Sequence, residues 1–268
     1  MHVAELYTYP VKGCYRSDQR ELVIEPWGPR GDRRWVILDE DGLMVTQRQV
    51  PGLVTIKPWA DDATLRLSAA GHPDLTVECE PGELIDFKLF SDPVRATPVG
   101  EAADTWLSSV LDRKLRLLWL DDPTRRPIQP EWSEPSDRVS LADEFPVHIC
   151  NAASLAWIND ALLESGSEEG PLPMTRFRPN IVVNGARAWA EDDWLGRRMR
   201  VGEAVFRVVK GHGRCVVTTT DQDTGVRGRE PLRTLGRYRN VEQSLLFGVV
   251  LIPDRLGRIR IGDEIAID

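Results

Sequence analysis

The segment Gly211-His212-Gly213-Arg214-Cys215-Val216-Val217-Thr218-Thr219-Thr220-Asp221-Gln222-Asp223-Thr224-Gly225 holds the densest run of side chains able to do chemistry. A cysteine opens a β-branched run behind a glycine-bearing loop, directly beside an arginine. A neighbouring cation lowers a thiol's pKa, and the thiolate is both a nucleophile and a ligand for soft metals. A regular strand over Cys215 to Thr219 puts Cys215, Val217 and Thr219 on one face, with Asp221 continuing it. The competing reading is a buried, inert cysteine that packs as a small hydrophobe. Cys14, Cys79 and Cys150 lack comparable surroundings and take that second reading. In Arg176-Phe177-Arg178-Pro179-Asn180-Ile181-Val182-Val183, Arg178 and Asn180 alternate onto one face of an incoming strand, while Ile181 and Val183 turn to the core. Two polar side chains at a strand start can grip a ligand; a surface ion pair for the arginine is the alternative. Lys12, in Tyr9-Pro10-Val11-Lys12-Gly13, follows a strand and reads as a solvated lysine on residue type alone.

Several chemistries are excluded by absent patterns. There is no Gly-x-x-x-x-Gly-Lys phosphate loop, no Gly-x-Gly-x-x-Gly after a strand and no His-Glu-x-x-His zinc motif. His2, His72, His148 and His212 show no ligand spacing; only His212 lies near another candidate, and it reads as a polar loop residue. The four cysteines have neither Cys-x-x-Cys spacing nor the density of a stapled secreted domain, so free thiols in a reducing compartment are expected.

Charge is unevenly distributed. The 268 residues carry 34 Lys+Arg against 42 Asp+Glu, a net of −8. Residues 1–150 net −9 and residues 151–268 net +1, while eleven bases against four acids give residues 196–239 a net of +7. Such a basic segment in an acidic protein is either a solvated face or a seat for an anionic ligand. With the net charge negative and no recognised motif, nucleic acid is not the expected partner. At 41% apolar and 28% charged the composition is that of a globular protein. The longest nearly apolar stretch, residues 245–253, is far short of the ~20 residues of a bilayer-spanning helix. Because an acid stands at Glu5 where a signal peptide has its basic segment, the expected location is the cytoplasm, with no membrane partner.

The elements that must position these residues are mostly short strands. They are predicted over residues 3–9, 34–38, 43–45, 64–68, 75–79 and 84–89, with Asp39-Glu40-Asp41-Gly42 as a hairpin turn. Ala103, Trp106, Leu107, Val110 and Leu111 recur at helical spacing over residues 101–112, and residues 115–120 form a further strand. Four prolines make residues 121–137 a polar linker, which divides the chain into units 1–120 and 138–268. Asn151 can cap a helix reaching Glu164, with Leu155, Ile158 and Leu162 as its buried stripe. Strands follow over residues 180–183, 199–201, 204–209, 215–219 and 246–252, and on both sides of Gly262-Asp263. The fold class is mainly β with a few helices (α+β), closing a barrel or nearly so.

Read together, Tyr9-Pro10-Val11-Lys12-Gly13, Asp32-Arg33-Arg34-Trp35, Met44-Val45-Thr46-Gln47-Arg48-Gln49, Ala153-Ser154-Leu155, Phe177-Arg178-Pro179-Asn180-Ile181-Val182, the Cys215 segment and Leu246-Phe247-Gly248 occur in order before a closing Ile261-Gly262-Asp263 turn. This set resembles the MOSC family of molybdenum-cofactor proteins with its N-terminal β-barrel companion domain, and within it the amidoxime-reducing component branch. The resemblance spans essentially the whole chain. It implies a molybdopterin between the two units with Cys215 as the protein ligand to molybdenum. Lys12, Gly13, Arg33, Arg178 and Asn180 match positions that bind the pterin or its phosphate, which would account for the basic segment. Ser154 and the amides of Gly213 and Arg214 are expected as further donors. Asp221 matches the acid after the cysteine strand, either as a turn contact or as a proton source. The implied reaction is reduction of an N-hydroxylated small molecule, of hydroxylaminopurine or amidoxime type. Its electrons would come from a separate flavin, haem or iron–sulfur protein, since no iron–sulfur module follows Asp268. The alternative is a non-catalytic carrier of the cofactor or of sulfur. His212-Gly213 departs from the Cys-Ser pair common in relatives, a change at the substrate mouth.

Overall fold

The computed structural model describes residues 1–268. Its largest sheet has the order Ile265–Ile267, Arg198–Val201, Ala204–Gly213, Ser244–Arg255, Val147–Asn151, Ile181–Asn184, His2–Thr8 and Ser17–Gln19, with Asn240–Val241 paired to the side, and curls into half a barrel. Every pairing in it is antiparallel except Val147–Asn151 with Ile181–Asn184. Those two parallel strands need a crossover, which the helix Ala152–Glu164 supplies. Asn151 caps that helix as expected, its side chain accepting from Ala153 N. Ser154, Ile158 and Leu162 are its buried residues, while Leu155 is half-buried.

A second body is built on the antiparallel sheet Trp35–Asp39, Leu115–Trp119, Asp92–Pro98 and Ile85–Leu89, together with the three-stranded sheet Lys57–Asp61, Thr64–Ser68 and Leu75–Glu78. The helix Glu101–Leu111 packs Ala103, Trp106 and Leu107 into its core, where Trp35 and Trp119 stack 6.3 Å apart. The third helix, Leu232–Tyr238, lies within a stretch that carried no sequence expectation.

The two bodies do not follow the chain in two blocks. Val3, Leu6, Leu22 and Ile24 share one buried cluster with Ile181, Phe206, Leu251 and Ile259. Glu21–Glu25 pairs with Gly257–Arg260, and His2–Thr8 with Ile181–Asn184. The first ~30 residues therefore complete the core of the second half before the chain crosses to the other body. Residues 121–137 carry two 3-10 turns rather than free coil. Buried Arg126 in this stretch donates to the carbonyls of Ser140, Ala142 and Asp143 and so pins the strap that follows.

One expected strand is a different structure. Residues 216–219 form a 3-10 turn, with Cys215 as an extended residue before it. The run Val216-Val217-Thr218-Thr219 reads as β by residue type, but Thr218 Oγ1 donates to Cys215 O at 2.8 Å and Thr219 Oγ1 to Val216 O at 2.8 Å. Threonine hydroxyls that bond back to nearby carbonyls compete with a ladder, and here they win. The shared face of Cys215, Val217, Thr219 and Asp221 accordingly does not exist. Residues 43–45 likewise make only isolated bridges, Leu38 with Met44 and Leu43 with Lys88.

Candidate functional site

A cleft between the two bodies collects most of the singled-out residues. Lys12, Gly13, Arg33, Arg178, Asn180, Gly213, Arg214 and Cys215 all line it. They arrive on the turn after His2–Thr8, the turn before Trp35–Asp39, the approach to Ile181–Asn184, and the end of Ala204–Gly213. The opposite wall comes from Thr46, Gln47, Arg48 and Phe90 of the other body and from the strap 142–145. The enclosed space is about 130 Å³.

Backbone strain gathers here. Arg33 (φ 48°), Phe90 (φ 58°) and Arg178 (φ 54°) are non-glycine residues in the left-handed region, and all three line the cleft. Such conformations cost on the order of 1–3 kcal/mol each and persist only where surrounding structure enforces them. Arg178 thus leaves a 3-10 turn in a left-handed conformation instead of entering a strand, yet it still reaches the same cleft as Asn180. Its Nη1 donates to Cys14 O and Gln222 Oε1, both at 2.9 Å. Arg33 Nη2 donates to Arg178 O at 3.2 Å, and the two guanidiniums lie 4.6 and 4.2 Å from the Tyr9 ring centre.

The electrostatics are those of an anion seat. Lys12, Arg33, Arg48, Arg178 and Arg214 face two carboxylates, Asp143 and Glu144, among the lining residues. Burial pushes the Lys12 ammonium down to about 8 against the pull of Asp143, with which it pairs across the cleft. Burial also lowers Arg178 to about 10. Asp143 shows the converse: burial opposes its charge, but Lys12, Arg48 and Arg33 overcome it and hold the carboxyl at about 2. Cys215 is half-buried with a free thiol, and Arg48 Nη2 lies 3.4 Å from its Sγ. Arg214 Nη2 donates to Phe177 O at 2.7 Å and its Nη1 lies 2.8 Å from His212 Nδ1, while its buried Nε has no partner. Nothing lies within 4 Å of where a Cβ on Gly213 would sit, so the backbone there is open to a ligand.

Other candidates stand elsewhere. Ser154 is buried under the sheet, its Oγ accepting from Trp189 N at 2.8 Å, and it does not line the cleft. The Arg214 amide donates to Leu245 O at 2.7 Å, so it belongs to the sheet rather than to a ligand. Asp221 also lies off the lining. Its Oδ1 accepts from Asp223 N, Thr224 N and Thr224 Oγ1, and its Oδ2 lies 3.2 Å from Arg176. Partial burial works against this carboxylate, but those contacts hold it below the usual range, as a turn anchor requires. Asn180 reaches the cleft with much of its amide already engaged: Oδ1 accepts from His148 N at 3.1 Å and Nδ2 donates to Tyr7 O at 3.2 Å. Of the eleven bases in the basic segment only Arg214 lines the cleft. Arg207 pairs with Asp137 and Asp254, Arg239 with Asp192, and Lys210 with Glu144.

Sequence reasoning did not single out Arg48, Phe90, Asp143 or His148. Arg48 stood within the quoted Thr46-Gln47-Arg48-Gln49 motif, and a lone histidine in the buried run Val147–Asn151 was a second signal. Asp143 and Phe90 carried none. Gln47 and Gln222, buried and reciprocally hydrogen-bonded at 3.2 and 3.1 Å, tie the two walls together.

Fold and cleft together define a two-part β-barrel protein whose halves converge on one thiol in a basic cleft. The chain matches the MOSC N-terminal beta barrel domain over residues 1–114 and the MOSC domain over residues 136–266, and it belongs to the MOSC family. It is 34% identical over 283 residues to mitochondrial amidoxime-reducing component 1 of Homo sapiens, covering 98% of this chain and 82% of that protein. Human mitochondrial amidoxime reducing component 2 is 31% identical over 284 residues, covering 98% and 82%. The molybdenum cofactor sulfurase of Danio rerio is 30% identical over 266 residues, which are 93% of this chain and 31% of that protein.

Proposed function

We propose that this protein is a molybdenum-cofactor-dependent oxidoreductase that reduces N-hydroxylated small molecules. The observation that carries the reading is the convergence of Cys215 with five cations in one cleft walled by both bodies. The residues fit the group. A molybdopterin brings a phosphate and two thiolates, all anionic, and the cleft offers an excess of cations, an unpartnered buried Arg214 Nε and the open backbone at Gly213. Cys215 would be the protein's ligand to the metal, a soft donor for a metal already held by sulfur. Lys12, Arg33 and Arg178 would hold the phosphate and pterin, with Lys12 exchanging Asp143 for a cofactor oxygen, while Asn180 and Gly13 shape the wall.

Bound there, the cofactor supplies a two-electron couple. In the reaction R–NHOH takes up two electrons and two protons and gives R–NH2 and water as the N–O bond breaks. The electrons come from a separate flavin, haem or iron–sulfur protein. Arg48 lies 3.4 Å from the Cys215 sulfur, and the strap bearing Asp143 and Glu144 sets the polar edge of the mouth. Four free thiols agree with a reducing compartment, and we place the protein in the cytoplasm. No helix is long and apolar enough to cross a membrane.

The experiment is metal and pterin analysis after expression with molybdate, comparing the native chain with Cys215→Ala. We expect near-stoichiometric molybdenum in the native protein, lost in the variant, and turnover of amidoximes with a surrogate donor. Equal molybdenum in both would remove Cys215 as ligand. Cofactor bound without turnover would favour the carrier reading, to which the match with part of a sulfurase also points.

A further inference from the structure

We propose that Phe90 is a specificity residue at the cleft mouth, whose ring selects flat, ring-bearing N-hydroxylated substrates over alkyl ones. The inference rests on the proposed reaction for the N-hydroxyl end of the substrate, but not for the ring contact.

Phe90 occupies the turn between Ile85–Leu89 and Asp92–Pro98, with φ 58°. A tight hairpin position with positive φ favours glycine, and a bulky aromatic there is a backbone outlier. Strain of this kind marks positions that surrounding structure holds for a purpose. Packing does not supply that purpose, because the residue is 46% exposed. The other phenylalanines of the cleft, Phe145 and Phe177, are buried, so Phe90 alone offers an open ring to an incoming molecule.

Its surroundings give the ring a direction. Lys12 Nζ lies 5.6 Å and the Arg48 guanidinium 5.1 Å from the ring centre. That same guanidinium reaches 3.4 Å from Cys215 Sγ. Arg48 therefore spans from the platform to the thiol where chemistry is proposed. A flat heteroaromatic laid against Phe90 presents its π face to the ring and its polar edge to Lys12 and Arg48, with its N-hydroxyl group free to extend past Arg48. An alkyl amidoxime gains none of the stacking.

The test compares loaded native protein with Phe90→Gly, which removes the ring and relieves the strained φ, and with Phe90→Tyr, which keeps the ring. An N-hydroxylated purine and an alkyl amidoxime are turned over with one surrogate donor, and the deoxygenated purine is titrated calorimetrically. We expect the purine-to-alkyl ratio of kcat/KM to fall about ten-fold in Phe90→Gly, the scale of one stacked base, and to be kept in Phe90→Tyr. Purine affinity should fall by a similar factor, a readout that needs no turnover. An unchanged ratio and affinity in Phe90→Gly would overturn the inference, as would a shift confined to the KM for the donor, which would assign the ring to protein docking. Native protein that binds the purine through Phe90 but reduces no N-hydroxylated compound overturns the proposed function and the substrate class with it, and leaves the ring contact standing. Turnover of both substrate classes independent of Phe90 does the reverse.

Discussion

His148 and His212 sit with ring centres 4.2 Å apart in the cleft wall. Burial first, then the nearby Arg214 and Arg33, pushes both well below the ordinary histidine range, so both are neutral at pH 7. An unfolded chain protonates them near pH 6.5 while the folded one does not. The unfolded state then binds more protons, and stability falls as pH drops below about 6.5. We expect each histidine to contribute about 1.4 kcal/mol of loss per pH unit in that window, measured as urea stability at pH 7 and pH 5.5, with the slope roughly halved in His148→Leu. The same slope in the variant would refute the neutral pair. At this scale the sequence was readable where a residue type is rare and its neighbours are chemical: Cys215 beside Arg214, and Arg178 near Asn180. It was unreadable for Asp143, whose identity as the cleft's counter-charge depends on Lys12 arriving from 131 residues away.

Among elements, those built from local rules matched the sequence most closely. The helix over Glu101–Leu111 and the Asn151 cap needed only periodicity and one side-chain acceptor. Val147–Asn151 is buried along its whole length, which removes the alternation by which a strand is recognised, and it had no expectation. The Cys215 segment failed because hydroxyl groups redirected a β-branched run into a turn. Gly248, in the quoted Leu246-Phe247-Gly248 motif, shows what that triplet does. It has φ 73°, and a Cβ there would lie 2.6 Å from Ile149 O, 2.7 Å from His148 Nε2 and 2.8 Å from Cys150 Sγ. Gly248→Ala must force two strands of the cleft wall apart, and we expect a loss of about 3 kcal/mol or more in denaturant unfolding. A loss under ~1 kcal/mol would show that the strands yield easily.

For the whole molecule, the linker suggests two separable units, whereas the core does not divide there. Val3, Leu6, Leu22 and Ile24 fill the cluster of the second half. Residues 138–268 alone would expose that apolar face and lose the strand His2–Thr8 from one side of Ile181–Asn184. We expect this fragment to aggregate or give the dispersion-poor NMR spectrum of a molten state, and a version with residues 1–29 fused back to recover native dispersion. A well-folded fragment 138–268 would mean the first strands are dispensable. Sequence patterns report neighbours along the chain, so a partner some 180 residues distant was outside their reach.

That shared strand also sets an order in time. His2–Thr8 can pair with Ser17–Gln19 once both are made, but its other edge has no partner until Ile181–Asn184 follows, and one edge of Glu21–Glu25 waits for Gly257–Arg260. In the interval one edge of each strand stands open, a hazard for mispairing that chaperones exist to cover. The high sequence separation of these pairings makes folding slow. Cys215, by contrast, is followed by Ser244–Arg255, the strand that holds its loop in place. The cleft thus takes shape only after Ser244–Arg255 has been made, so its two walls meet long after the residues of Trp35–Asp39 have been synthesised.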